Sequence, residues 1–184
     1  GLAITSGQES VLIGQQAGQT LTTGDANTAV GHYALYHNVT GNYNTAIGRG
    51  AGARFLADNS TALGYFAGHY ASGSNSTFVG SEAGKGGTTS APYSSGENNV
   101  ALGYQALMSF TTAAANVAVG YGALTNIKDA TYSVGIGVHA GDHATGSYNT
   151  FVGGKAGFGG TTSAPFSSGE NNTAVGYQAL DAFT

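Results

Sequence analysis

Cysteine is absent from this 184-residue chain, so no disulfide and no thiolate metal ligand can hold it together. A chain without thiols suits an oxidising exterior but does not require one. Charge is scarce: 8% of residues are charged, five basic against nine acidic, for a net charge of -4. No basic patch exists to neutralise phosphates, so nucleic acid is not expected as a partner. No apolar run approaches ~18 residues, so membrane insertion is not expected either. Only two prolines occur, and the 32 glycines follow no Gly-X-Y register, which excludes collagen. With 41% apolar residues and so little charge, the composition also argues against disorder.

What the chain has is a repeat. Asn172-Thr-Ala-Val-Gly-Tyr-Gln-Ala-Leu180 recurs in ten variants, beginning at residues 10, 27, 44, 60, 76, 99, 116, 133, 149 and 172. Successive gaps are 17, 17, 16, 16, 23, 17, 17, 16 and 23 residues. A short fixed period of this kind specifies a solenoid or an array. Position one is Asn or Ser, two is Thr or Val, and three is usually small. Four is aliphatic, five is always Gly, eight is always Ala, and nine is Leu or Gly. Alternation over positions two to four predicts a short strand. Gly, Thr, Asn and Val dominate and no apolar spacing of three and four persists, so helix is not expected. Thr-Thr-Gly24, Val-Thr-Gly41, Ala-Ser-Gly73 and Ala-Thr-Gly146 carry the turn chemistry that closes each coil. The fold expected is all-β: a parallel β-solenoid or β-roll of about ten coils of 16–17 residues, residues 1–184 forming one array.

Details of packing follow as expectations. The aliphatic rungs at position four (Val30, Ile47, Leu63 and their equivalents) are predicted to form a buried seam, with Thr28, Thr45, Thr61 and Thr77 on the same face. The glycine after each rung predicts a bend with positive φ or a close backbone approach. The constant alanine predicts room for one methyl in a thin core. So slender a coil leaves Leu35, Leu107, Leu124 and Leu180 with little core of their own, which predicts a homotrimer. The C-terminal Asp181-Ala-Phe-Thr184 resumes a return segment like Gln19-Thr-Leu-Thr-Thr-Gly24, and the chain opens on Gly1. It therefore reads as a piece of a longer fibre.

Two related loops, residues 85–98 and 158–171, fill the long gaps and contain both prolines. At ~4.8 Å per coil they would project ~19 Å apart along the fibre. Their parent coils alone carry Phe at position three, and Phe78 and Phe151 are predicted to pack beneath the loops against Tyr93 and Phe166. Candidate surface-contact residues are Pro92, Tyr93 and Glu97 in the first loop, Pro165, Phe166 and Glu170 in the second, and Tyr104 and Tyr121 on the coils. The two coil tyrosines follow the bend glycine in adjacent repeats, which suits packing on the flank or a sugar-stacking ladder.

Catalytic readings are weak. Gly135-Ile-Gly-Val-His-Ala140 mimics a dinucleotide fingerprint but has no βαβ unit around it. His139, Asp142 and His143 are near enough in sequence for a metal site, yet fit a solvated turn equally well. Glu97 and Glu170 fall four coils apart, whereas a glycosidase pair needs ~5–9.5 Å. No histidine accompanies the Thr-Thr-Ser runs as a base. No enzyme activity, cofactor or metal is expected. The glycosylation patterns at Asn38, Asn59, Asn75 and Asn171 arise from an Asn/Thr-rich composition alone.

The ten-fold unit Asn-Thr-Ala-Val-Gly-Tyr-Gln-Ala-Leu resembles repeats of bacteriophage tail fibres, which often precede an endosialidase-type intramolecular chaperone domain. It is also similar to the Ser-Val-Ala-Ile-Gly head repeat of trimeric autotransporter adhesins, which forms a left-handed parallel β-roll in a trimer. The resemblance covers residues 10–180, and the period here is longer than the adhesin one. It implies a structural or adhesive fibre segment on the virion surface or otherwise extracellular, a tail-fibre shaft or head that presents its loops to a cell-surface glycan or protein receptor. A bacterial adhesin head or extracellular filament subunit is the alternative, and a glycan-degrading enzyme a remote one.

Overall fold

A computed structural model describes residues 7–87, 93–160 and 167–181. Each repeat contributes one strand of three residues. They are β1 (Val11–Ile13), β2 (Thr28–Val30), β3 (Thr45–Ile47), β4 (Thr61–Leu63) and β5 (Thr77–Val79). Then follow β6 (Val100–Leu102), β7 (Val117–Val119), β8 (Val134–Ile136), β9 (Thr150–Val152) and β10 (Thr173–Val175). All ten pair in parallel, in chain order, as one sheet. The register matches motif to motif: Thr28 lies on Thr45, Ala29 on Ala46 and Val30 on Ile47. The chain is a parallel β-solenoid.

Strands stop after three residues because glycine turns the backbone out of the sheet. Gly103 has φ +130, and a Cβ there would sit 2.7 Å from the Gly120 carbonyl oxygen of the next coil. Both the dihedral and the stacking therefore demand glycine. Hydrogen bonds between coils continue beyond the strands. The Gly120 N–H donates to the Leu102 carbonyl (2.8 Å), and the Leu107 N–H donates to that of Ala123 (2.9 Å).

The interior is lined by position three, not position four. Ala29, Ala46, Ala62, Phe78, Ala101, Ala118 and Phe151 are completely buried. The aliphatic rungs predicted to form a buried seam instead point outward: Leu63 is 44% exposed, Leu102 47% and Ile13 58%. The threonines at position two share that outer face. Alternation defines two faces, and the narrow coil admits only the one with small side chains. The constant alanines face them from the next side of the coil, also fully buried from Ala34 to Ala156.

The leucines correct a second expectation. Leu35, Leu107 and Leu124 are fully buried in the chain's own core, while Leu180 in the last repeat is 42% exposed. They fit because position three of their own repeat is alanine (Ala29, Ala101, Ala118). Where position three is Phe, position nine is Gly: a Cβ at Gly84 would collide with Phe78, and one at Gly157 with Phe151. The third wall is closed by Leu21, Phe55, Phe110 and Ile127, all buried. Phe78 packs between Phe55 and Phe110, at centroid distances of 6.4 and 5.9 Å, and not against Tyr93.

Position one forms a polar ladder inside this apolar stack. The Asn116 amide oxygen accepts the Ser133 backbone N–H (2.9 Å), and its NH2 donates to the Ala130 carbonyl (2.9 Å). Asn27, Asn44, Asn99 and Asn149 repeat both bonds with the coil that follows. Serine at Ser60, Ser76 and Ser133 keeps the acceptor half through its hydroxyl. Buried backbone groups need such partners. Asn and Ser are thus selected by the interior turn.

Candidate functional site

Three surfaces carry candidate residues. The first is the outer face of the sheet, where positions two and four make two parallel rows from Val11 and Ile13 to Thr173 and Val175. Rungs on these rows are half-buried or exposed throughout.

The second comprises the long loops. Pro92, Pro165 and Phe166 lie outside the described residues. The first loop is pinched at its base by Ser94, which is 1% exposed. Its hydroxyl accepts the Gly87 N–H (3.0 Å) and donates to the Phe110 carbonyl (2.7 Å), and Ser94 pairs in parallel with Ala71. Ser167 does the same for the second loop, accepting the Gly160 N–H (2.9 Å) and pairing with Ala144. The extra residues are therefore an insertion between two adjacent points of an otherwise regular coil. Tyr93 is half-buried and stacks on Tyr70 at 6.3 Å. Glu97 and Glu170 are exposed and stand in separate loops belonging to β5 and β9. Within one chain nothing brings them together as a catalytic pair.

The third surface is the turn segment that follows the strands. Tyr104 and Tyr121 are about half exposed and stack at 5.6 Å, with the His139 ring 4.7 Å beyond Tyr121. Tyr132 and Tyr148, just before their motifs, form a second exposed stack at 5.3 Å. Asp142 is held by His139 Nδ1 at 3.0 Å, with His143 Nδ1 at 3.8 Å, and it also accepts from the Asn126 amide (2.9 Å). Among the described residues, no group of three His, Cys, Asp or Glu is placed to hold a metal ion.

One site on this surface has no counterpart among the sequence candidates. Repeats two to four form a half-open cavity of about 260 Å³ lined by Tyr33, Tyr36, His37, Arg49, Ala53, Arg54, Phe66 and His69. Both arginines of the whole chain are here. Arg49 is exposed, with its guanidinium 5.5 Å from the Phe66 ring and Nη1 3.4 Å from the Tyr65 hydroxyl. The Arg54 guanidinium lies 4.6 Å from the Tyr93 ring, and its buried Nε has no hydrogen-bond partner among the described residues. Among the described residues neither arginine has a carboxylate within ion-pair distance. The nearby Glu82 is engaged by Lys85 (2.6 Å) and Gln105 (2.8 Å), which hold its carboxyl below the usual range.

Burial, reinforced by the Arg54 charge, pushes the pKa of His37 down. Burial does the same for His69, opposed by its bond to the Gly50 carbonyl and aided by Arg54. Both rings are therefore neutral at pH 7. His69 Nδ1 lies 2.8 Å from the Gly50 carbonyl and must carry the proton, which leaves Nε2 as an acceptor. These residues occupy positions the repeat leaves variable, so periodicity carries no signal of them. The available clue was the pairing of the only two arginines five residues apart. No protein-family model, curated protein or solved structure matches the chain.

Proposed function

We propose that the chain is a structural and adhesive segment of a homotrimeric fibre, of the kind found in phage tail fibres, working outside the cell or on a virion. The observation that carries this is the outward-facing aliphatic row. Ten rungs at ~4.8 Å make it about 45 Å long, one contiguous strip of exposed and half-buried aliphatics, and contiguous apolar patches on soluble proteins are often functional. A second copy offers the same rungs at the same spacing, so like rows match along their whole length. Three copies around one axis close that contact, leaving no open apolar strip. The rod so formed holds the loops and turn-segment tyrosines at fixed spacing in triplicate, which favours multivalent weak attachment to a host surface.

Sedimentation equilibrium tests the assembly. The 18.2 kDa chain is expected at three times its mass. Ile47→Asp with Leu102→Asp places charges on outward rungs. It should leave the circular dichroism unchanged and reduce the mass to that of one chain, because unpaired charges are costly to bury. A wild type that is monomeric at micromolar concentration refutes the assembly, and so does a double variant that still trimerises.

A further inference from the structure

We infer that the cavity across repeats two to four is a binding site for a single carboxylated sugar unit, a uronic-acid-like ring. This goes beyond the fibre reading and does not depend on it, since every lining residue belongs to one chain.

The chemistry of the wall argues for that ligand class. Two arginines without carboxylate partners among the described residues line a cavity in a chain of net charge -4. An arginine fork in a partly apolar site is matched by a carboxylate, which accepts two parallel charge-assisted bonds. The buried Nε of Arg54 is a donor whose desolvation no hydrogen bond among the described residues compensates. Its guanidinium is already fixed in orientation by the Tyr93 ring at 4.6 Å, so little order is lost on binding.

Apart from Ala53, the rest of the wall is aromatic. Tyr33 and Tyr36 meet edge to face at 4.8 Å, and Phe66 supports His69 at 4.4 Å. Such surfaces suit the C–H face of a pyranose, while the His69 Nε2 acceptor and tyrosine hydroxyls suit its hydroxyl groups. The volume, about 260 Å³, lies just under the usual ~300–1,000 Å³ of ligand pockets and admits one ring. A nucleotide, with base, ribose and phosphate, is too large.

The test follows the histidine ring protons by NMR at pH 7 while the folded chain is titrated with D-glucuronate, D-glucose or acetate. His37 and His69 are expected to shift with glucuronate, with a dissociation constant on the order of 1 mM. His139 and His143 should not move. Glucose, lacking the charge, and acetate, lacking the ring, should each bind about tenfold more weakly or worse. Arg49→Gln, on an exposed side chain, and Arg54→Gln should each weaken glucuronate binding about tenfold, with circular dichroism as the check on folding. No shift with glucuronate overturns the inference. Equal shifts with acetate or glucose, or wild-type affinity in a folded Arg49→Gln chain, overturn it as well. The mass of the assembly plays no part in this readout, so it fails or stands separately from the trimer.

Discussion

The fifth-position glycine bears two constraints that can be separated. One is its own backbone, with φ between +124 and +137 in every repeat. The other is the coil stacked on it, whose glycine carbonyl occupies the space of a Cβ. Gly176 carries the first without the second: φ is +125, and the nearest atom to its Cβ is that of Ala179 at 3.9 Å. Gly176→Ala should therefore cost only the dihedral, about 1–3 kcal/mol. Gly103→Ala meets the Gly120 oxygen at 2.7 Å in addition and should cost roughly twice as much. Urea unfolding of the two variants measures the difference. Equal losses would mean that the stacking contact relaxes freely and that dihedral strain alone conserves the residue along the repeat.

Within one coil, positions three and nine share a single volume. Phe78→Ala should open a cavity costing about 3–5 kcal/mol. Gly84→Leu alone should be equally harmful, because its side chain and the Phe78 ring claim the same space. Together the two changes recreate the Ala101–Leu107 arrangement of the following repeat, where a leucine sits at φ +52 against the +54 of Gly84. The double variant should recover most of the loss, a coupling of several kcal/mol in a double-mutant cycle read by thermal unfolding. Additive losses would show that the two sites do not compete. This exchange also marks the limit of what the sequence discloses. Period, strand position, bend and parallel stacking are all written in the motif, because each repeat obeys them. The direction of the faces is not: Thr-Ala-Val alternates identically whether Ala29 or Val30 points inward, and coil thickness decides it. Leu35 and Leu107 likewise look stranded until the alanine at position three is seen to make room for them. The pocket arginines are harder still, since Arg49 and Arg54 obey no period.

At the scale of the molecule, every strand touches only the strands before and after it, with equal contact at each of the nine steps. Stability should then be close to a sum over coils and the interfaces between them, with no long-range tie that fixes the number of coils. Removal of residues 99–115 takes out one complete repeat and joins Asn98 to Asn116, which is again asparagine ahead of a Val-Ala-Val strand. Phe78 then faces Ala118 where it had faced Ala101, and the Ser76 hydroxyl meets the Asn116 N–H where it had met that of Asn99. The shortened chain should fold with unchanged circular dichroism per residue and a melting temperature lower by only a few degrees. Deleting residues 99–106 removes eight residues, half a coil, and puts every later strand out of register with β5. That chain would have to present bend residues to the ladder and polar turn residues to the core, and it should fail to fold cooperatively. If the whole-coil deletion were as damaging as the half-coil one, contacts beyond nearest neighbours would have to carry the fold, and the solenoid could not be lengthened or shortened by whole repeats.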